Sequence, residues 1–374
     1  MTGDAAERAG AILEIDLGAV VDNWRFLRQR AAPAECAAVV KANAYGLGIK
    51  EVAPALLAAG CRTFFVATLD EGIALRQVLG PCPGSQPEIA VFNGPLPHTA
   101  PEFVAHALTP VLNEPGQVAE WQADGGGNPA ILHIDTGMSR LGLTAPEFAA
   151  LLAAPPRIRW RALMSHLACA EDPEHRLNAR QRTRFVAALR ALGDVAGSLA
   201  ASCGIFLGPA YHFDLVRPGA ALYGVNPQPD GRHRLRPVVR LCGRILQVRQ
   251  IDSGDSVGYG AAHVMEAPGR VATVAVGYAD GWLRSLGHRS CGRLGGVRVP
   301  LIGRVSMDLI TFDVSAVDQA RAQPGMLVEL LGEAYTVDDA ARDAGTIGYE
   351  MLTALGSRYH RVYHQPPLPA ADLR

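Results

Sequence analysis

The feature that most constrains the fold is an alternation of short apolar segments with segments of helical periodicity between residues 36 and 216. Parallel strands need a crossover between them, so this alternation favours a parallel sheet covered by helices. Eight such units in about 200 residues favour a closed (β/α)8 barrel of the TIM type. A doubly wound open sheet is the alternative, but no GxGxxG motif follows the first strand. The predicted strands are residues 38–40, 63–67, 89–92, 108–112, 130–134, 160–164, 198–201 and 213–216.

The pattern changes beyond residue 238, where helical periodicity gives way to short β-rich segments between Gly and Pro turns. Such segments are typical of an antiparallel sheet. We therefore predict an α/β barrel domain over residues 11–237 and a mainly antiparallel β domain over residues 238–374. Residues 11–15 are a candidate strand for pairing with the second domain, and one helix is predicted near residues 337–343.

Charge and cysteine usage disfavour several classes of function. A net charge of −1 provides no field that attracts nucleic acid or an anionic membrane. The N-terminal residues carry acids where a signal peptide needs a basic and then apolar stretch, and no apolar run reaches spanning length. Seven scattered cysteines without a CxxC pair or zinc spacing indicate reduced thiols and no metal site. We therefore expect a soluble, cytoplasmic protein that binds neither nucleic acid nor membrane.

Reactive or small residues follow the predicted strands at the end where barrel enzymes place their chemistry. Each has an ordinary explanation when taken alone, such as a surface lysine at a strand end. Together they place a candidate amine nucleophile opposite two turns that suit phosphate binding, Ser202 and Gly219-Ala220. This combination indicates pyridoxal 5′-phosphate (PLP) as cofactor. The residues are Lys41 and Tyr45 after the first strand, Asp135, Met138 and Arg140 after the fifth, His166 after the sixth, Ser202 after the seventh, and Arg217 and Gly219 after the eighth.

Residues 39–48, Val-Val-Lys-Ala-Asn-Ala-Tyr-Gly-Leu-Gly, closely resemble the PLP attachment signature of alanine racemases. The lysine motif alone is also similar to other barrel-type PLP proteins. Further matches to alanine racemases occur in the family's order and cover nearly the whole chain, at residues 133–142, 165–166, 217–224, 257–260, 277–281 and 303–308.

The resemblance implies a role for each matching residue. Lys41 holds PLP covalently and acts as the base on the D-face, and Tyr259 of the partner subunit in a homodimer acts as the base on the L-face. Arg217 faces the pyridine nitrogen, with His166 supporting Arg217 and Tyr259, while Arg140 contacts the PLP phenolic oxygen and the substrate carboxylate. The implied phosphate contacts are Tyr45, Ser202, Gly219 and Ala220, and the residues implied to shape the access path and the carboxylate end are Tyr278, Met307 and Asp308.

The implied activity is the interconversion of L-alanine and D-alanine, with D-alanine supplied for peptidoglycan. A broad-specificity amino-acid racemase and a non-catalytic PLP-carrier barrel are the alternatives. A barrel-type decarboxylase is disfavoured, because it requires an acid at the pyridine nitrogen, where Arg217 stands. An arginine does not give up its proton, so it leaves that nitrogen unprotonated and weakens the electron sink.

Two positions depart from the family pattern. His133 stands where many members have a lysine, often carbamylated, that positions the arginine matched by Arg140. Arg140 must therefore be oriented differently, by the His133 side chain, by water or by an anion such as chloride. Ser357-Arg358 stands where other members have a Tyr-Arg pair that contributes a phosphate contact.

Overall fold

The computed structural model describes residues 3–82, 86–228 and 235–365. The chain forms two compact units, one over Val20–Arg236 and the other comprising the chain up to Ala19 together with the chain from Pro237. Strand β1 (Ala11–Asp16) pairs within the C-terminal unit, as predicted for residues 11–15, so the barrel unit begins at Val20 and not at the predicted residue 11. Residues 366–374 of the predicted second domain lie outside the described residues. No helix in the described ranges is long and apolar enough to cross a bilayer.

The first unit is built on a ring of short parallel strands. Strands β3 to β9 pair in sequence order, and β10 runs parallel to β2, with Leu215 beside Glu35 and Val216 beside Cys36. The predicted barrel is thereby confirmed, since a doubly wound sheet has a reversal of strand order instead. The strands are β2 (Glu35–Cys36), β3 (Ala38–Val39), β4 (Thr63–Val66), β5 (Glu88–Val91), β6 (Thr109–Leu112), β7 (Ala130–His133), β8 (Trp160–Met164), β9 (Gly197–Ser198) and β10 (Leu215–Val216).

Helices follow these strands, and local hydrogen bonds set where several of them begin. Thr68 and Glu71 form a capping box at one helix, and Thr144 and Glu147 form another, which satisfies N–H groups that lack helical partners. The helices that follow these strands are α4 (Ile49–Ala58), α5 (Leu69–Leu79), α6 (Ala100–Ala105), α7 (Pro115–Asp124), α8 (Ala145–Ala153), α9 (Arg176–Leu192) and α10 (Ser202–Phe206); α1 (Gly3–Arg8) lies in the other unit, α2 (Leu17–Ala31) precedes the ring, and α3 (Lys41–Tyr45) is a short turn with left-handed backbone angles.

The second unit is a mainly antiparallel sheet, as predicted. Eight strands pair in the order β14-β17-β16-β15-β18-β11-β1-β19, and a further pairing of β14 with β11 curls the sheet. β1 pairs antiparallel with β11 and parallel with β19. The elements are β11 (Val239–Ile251), β12 (Ser256–Val257), β13 (His263–Val264), β14 (Gly269–Val274), β15 (Cys291–Leu294), β16 (Val297–Ile302), β17 (Ile310–Asp313), β18 (Leu327–Leu331), α11 (Val337–Ala344), α12 (Gly348–Ala354) and β19 (His360–His364).

Gly281 lies in the second unit at a point with no room for a side chain. Its φ is +92°, and a methyl group there would overlap the Ala354 carbonyl oxygen. We expect Gly281→Ala to lower the free energy of unfolding by about 3 kcal/mol or more, because steric overlap adds to backbone strain. Gly296→Ala is the matched control, with a φ of +86° and no atom within 4 Å of the added methyl. It should cost about 1 kcal/mol. Denaturant unfolding measures both, and equal losses would contradict the steric argument.

Candidate active site

Lys41 directly follows the first barrel strand, beyond the buried residues Val39 and Val40. The chain then makes an unusual turn, in which the four residues from Ala42 to Tyr45 have φ between +52° and +55°. Residues other than glycine cost roughly 1–2 kcal/mol each in this left-handed region. Such a turn persists only where its surroundings fix it, and strained turns of this kind concentrate at functional sites.

Glu71, near the start of α5, fixes this turn. Its carboxylate accepts the Ala42 N–H at 2.7 Å and the Ala67 N–H at 2.7 Å, so it joins the loops after the first and second barrel strands. The turn thereby holds Lys41 and Tyr45 at the C-terminal rim of the barrel.

The Lys41 side chain is half-buried. Burial in the first place, and the charge of Arg140 in the second, lower the pKa of Lys41, while the Glu71 carboxylate opposes the shift. The Lys41 Nζ lies 5.9 Å from the centroid of the Phe92 ring. A lowered pKa increases the fraction of neutral, nucleophilic amine at neutral pH.

Ser202 joins the turns that follow the seventh and eighth strands. Its Oγ accepts the N–H of Gly219 at 3.0 Å and that of Ala221 at 3.2 Å. A methyl group at Gly219 would overlap the Tyr45 hydroxyl, so only glycine lets Tyr45 approach this turn. Hydroxyls beside successive backbone N–H groups are suited to phosphate oxygens. The structure thus brings together the residues predicted to bind phosphate, with Ala220 in the middle of the turn.

Arg217 is a buried cation, only 2% exposed, that is held by neutral oxygens. Its Nη2 donates to the Ser165 carbonyl oxygen at 2.8 Å and its Nη1 donates to Ser198 Oγ. Within the described ranges no carboxylate forms an ion pair with this guanidinium. Burial lowers the pKa of Arg217, yet the group stays protonated at neutral pH. An uncompensated buried cation is costly, which indicates that an acceptor belongs beside it.

Two histidines beside these cations are neutral. Burial, followed by the charges of Arg217 and Arg140, lowers the pKa of His133 and of His166 to about 3. His133 Nδ1 lies 2.7 Å from Asn113 Oδ1, and the Asn113 amide nitrogen donates to two backbone carbonyl oxygens. The Asn113 oxygen therefore faces the ring, so we assign the ring proton of His133 to Nδ1. Its Nε2 is left as a hydrogen-bond acceptor.

Arg140 is exposed and lies at the end of a tight loop organised by Asp135. The Asp135 carboxylate accepts the N–H of Gly137 and of Met138 at 2.8 Å, and that of Ser139 at 3.1 Å. Partial burial acts to raise the pKa of Asp135, but these N–H groups hold it below its ordinary value. The loop thus fixes the backbone that carries Arg140.

The four remaining predicted residues lie in the second unit. Tyr259 lies between β12 and β13 and is 72% exposed, while Met307 is 54% and Tyr278 is 43% exposed. The segments of Tyr278 and Met307 are joined by a backbone hydrogen bond of 2.9 Å from Ala279 N–H to the Met307 carbonyl oxygen. The structure therefore brings Tyr278, Met307 and the adjacent Asp308 together on one exposed surface.

Both units match models of one protein family. Residues 15–227 match the model of the alanine racemase N-terminal domain, and residues 238–363 match that of the alanine racemase C-terminal domain. The chain belongs to the alanine racemase family. It is 51% identical to an alanine racemase of Rhodospirillum rubrum over 96% of both chains. It is 49% identical to a catabolic alanine racemase of Mesorhizobium japonicum, over 95% of this chain and 93% of that one.

Solved structures of the family have the same fold. The alanine racemase of Bartonella henselae, crystallised with covalently bound pyridoxal phosphate, aligns with a TM-score of 0.89 at 43% identity, over 95% of this chain and 100% of that one. The alanine racemase of Streptomyces coelicolor aligns with a TM-score of 0.90 at 34% identity, over 96% and 99% of the two chains.

Orientation of Arg140 by the His133 side chain, by water or by an anion stays a prediction. The described hydrogen bonds hold the His133 ring against Asn113 and restrict the Arg140 backbone through the Asp135 loop. Sequence reasoning missed the residues that hold the site in place. Glu71 supports the Lys41 turn, and Arg358 donates to Asp308 at 2.6 Å. These contacts join segments that are distant in sequence, so no local sequence pattern predicts them. The phosphate contact of Ser357 stays a prediction.

Lys41 is one of only two lysines in the chain, which makes its ionisation measurable. Because its pKa is lowered, its neutral form should appear at lower pH, and the midpoint of reductive methylation of the cofactor-free protein should lie below about 10.4. Mass spectrometry resolves Lys41 from the exposed Lys50, which serves as an internal control for the reagent. A Lys41 midpoint at or above the ordinary value would contradict the assignment.

Proposed function

We propose that the chain is a PLP-dependent racemase that interconverts L-alanine and D-alanine. The observation that carries the proposal is the convergence, on one rim of the barrel, of the Lys41 amine, the Ser202–Gly219 turns and the buried Arg217. Membership of the alanine racemase family supports the same activity.

The residues present fit the cofactor. Lys41 supplies an amine with a lowered pKa for the covalent link, and Tyr45, Ser202 and the Gly219-Ala220 turn supply donors for the phosphate. Arg217 supplies an N–H donor for the pyridine nitrogen without losing its own proton. When bound, PLP makes the Cα–H of an attached amino acid acidic enough to be removed.

The protein's part is to move protons on two faces of the substrate. In the proposal, Lys41 removes or delivers the Cα proton on the D-face, and Tyr259 does so on the L-face. Tyrosine is a weak base at its ordinary pKa of about 10, so it needs neighbouring groups, which we assign to His166 and Arg217. Arg140 would hold the substrate carboxylate, and Tyr278, Met307 and Asp308 would border the access path.

We also propose that Tyr259 acts in the site of a second copy of the chain. Tyr259, Met307 and Tyr278 are large side chains left exposed on the second unit, and exposed patches of this kind mark protein–protein contacts. A homodimer would cover this surface and supply the L-face base to the partner's Lys41. We further propose a cytoplasmic location and the use of D-alanine in peptidoglycan, in keeping with the cysteine pattern and with family membership.

A racemisation panel with added PLP tests the activity. Alanine should be the preferred substrate in both directions, and Lys41→Ala should lower kcat/KM by roughly three orders of magnitude and remove the visible absorbance of bound cofactor. Lys50→Ala, the control at the other lysine, should match the wild type. Higher activity on serine, lysine or arginine would overturn the substrate assignment, and retained cofactor colour in Lys41→Ala would remove that residue from its role.

Tyr259→Phe tests the second base and the shared site. Solvent proton exchange from L-alanine should fall at least about tenfold more than exchange from D-alanine, because only one face loses its base. Mixing subunits of Lys41→Ala with subunits of Tyr259→Phe should restore about a quarter of wild-type activity, since each hybrid dimer then contains one intact site. No recovery from mixed dimers would show that both bases come from one chain.

A further inference from the structure

The helix α9 presents a row of polar side chains to the loops that follow β7 and β8. Asn178, Gln181 and Arg184 are spaced three residues apart, so they lie along one face of the helix. All three donate to backbone carbonyl oxygens of those loops. The face of a helix that covers a barrel is ordinarily apolar, as it is at the fully buried Phe185 of the same helix.

Gln181 is the central member of this row and is 0% exposed. Its Nε2 donates to the His166 carbonyl oxygen at 2.8 Å and to Thr136 Oγ1 at 3.2 Å. Its Oε1 accepts the N–H of Ala168 at 2.9 Å. One side chain therefore joins the helix to the loop after β7 and to both ends of residues 166–168.

The contacts continue from Gln181 to the site. Thr136 Oγ1 lies 2.7 Å from Ser165 Oγ, and the Ser165 carbonyl oxygen accepts the 2.8 Å hydrogen bond from Arg217. Thr136 belongs to the same tight loop as Arg140. The two loops that Gln181 joins thus carry Arg140, His166 and the backbone acceptor of Arg217.

Packing alone does not account for a glutamine at this position. Burying an amide gains little over an apolar side chain of similar shape, and it becomes costly if any partner is lost. A methionine fills a similar volume without that risk. The amide adds directional hydrogen bonds, because its two N–H groups and its oxygen bind three backbone or hydroxyl partners at once.

We propose that Gln181 is a positioning residue for racemisation. It holds the loops after β7 and β8 in the positions that Arg140, His166 and Arg217 require. The inference rests on the proposed function. Gln181 does not touch the substrate, so it acts through the three residues that it keeps in place. Loss of its hydrogen bonds should lower kcat more than it raises KM, because small displacements of these groups affect the reacting geometry.

Two variants remove the bonds in different ways. Gln181→Met keeps the volume and removes all three hydrogen bonds. Gln181→Glu keeps the shape and the acceptor oxygen but, as a carboxylate, cannot donate to His166 or Thr136. The second variant keeps the test valid if the first folds poorly.

Asn178→Leu is the matched control, one turn earlier on the same buried face. Asn178 Nδ2 donates to the carbonyl oxygens of Cys169 at 3.1 Å and Asp172 at 2.9 Å, beyond the part of the loop that carries His166. Its replacement should destabilise the protein without moving the site.

Hydrogen–deuterium exchange of the cofactor-free protein and steady-state kinetics of the holoenzyme provide independent measurements. Both Gln181 variants should speed exchange in residues 135–142 and 165–168 and lower kcat by about tenfold or more, with KM changed by less than about threefold. Asn178→Leu should keep kcat within about twofold even if its melting temperature falls equally.

A kcat within about twofold of wild type in both Gln181 variants would overturn the inference, as would an equal loss of kcat in Asn178→Leu. The proposed function is judged separately, on the wild-type protein. If the panel identified another amino acid as the better substrate, the kcat of the Gln181 variants and of the wild type would be compared with that substrate. Failure of the substrate assignment is therefore distinguishable from failure of the Gln181 inference.

Discussion

The position of the site depends on the hydrogen bonds that join the last barrel strand to the first. Ala37 N–H donates to the Val216 carbonyl oxygen at 3.0 Å, and Val39 N–H donates to the Pro218 carbonyl oxygen at 2.9 Å. This parallel register brings the end of the first strand, and hence Lys41, beside the turn that follows the eighth. In an open sheet, these two strands would lie at opposite edges or beside other neighbours. Closure of the ring therefore creates a rim on which an amine and a phosphate-binding turn can serve one ligand.

Among the described residues, three cations, Lys41, Arg140 and Arg217, act on the same part of the rim. The charge of Arg140 lowers the pKa of Lys41. Burial, followed by the charges of Arg217 and Arg140, lowers the pKa of His133 and His166 and keeps both rings neutral. Arg217 is buried and has no carboxylate partner among the described residues, and such a charge costs stability. The same arrangement favours anions, and an anionic ligand that binds only the folded state returns stability by mass action. A phosphate group and a substrate carboxylate are ligands that meet this requirement.

Local sequence patterns predict the barrel well, but they do not predict the long-range contacts that hold its loops in place. The bounds of β8 equal the predicted strand 160–164, and α11 begins at the predicted residue 337, because an apolar run marks the strand and Thr336 caps the helix. The left-handed turn from Ala42 to Tyr45 contains no glycine, and its stabilising partner Glu71 comes from another loop. The missed strand β19 pairs with β1 from the opposite end of the chain. Candidate residues on the strand ends could therefore be named from sequence, whereas Gln181, whose hydrogen bonds are non-local, could not.

The chemistry of racemisation gives a reason for the exposed residues of the second unit. A substrate held at a barrel rim by a lysine offers that lysine one face of its Cα, so the opposite face needs a base from a chain segment outside the strand ends. Tyr259 lies on such a segment, a short hairpin between two-residue strands. Its exposure leaves it available to another copy of the chain. In the proposed homodimer the two bases come from different subunits, so assembly of the site depends on dimerisation. A chain that folds correctly but stays monomeric should then bind cofactor through Lys41 and yet lack the second proton-transfer group that racemisation requires.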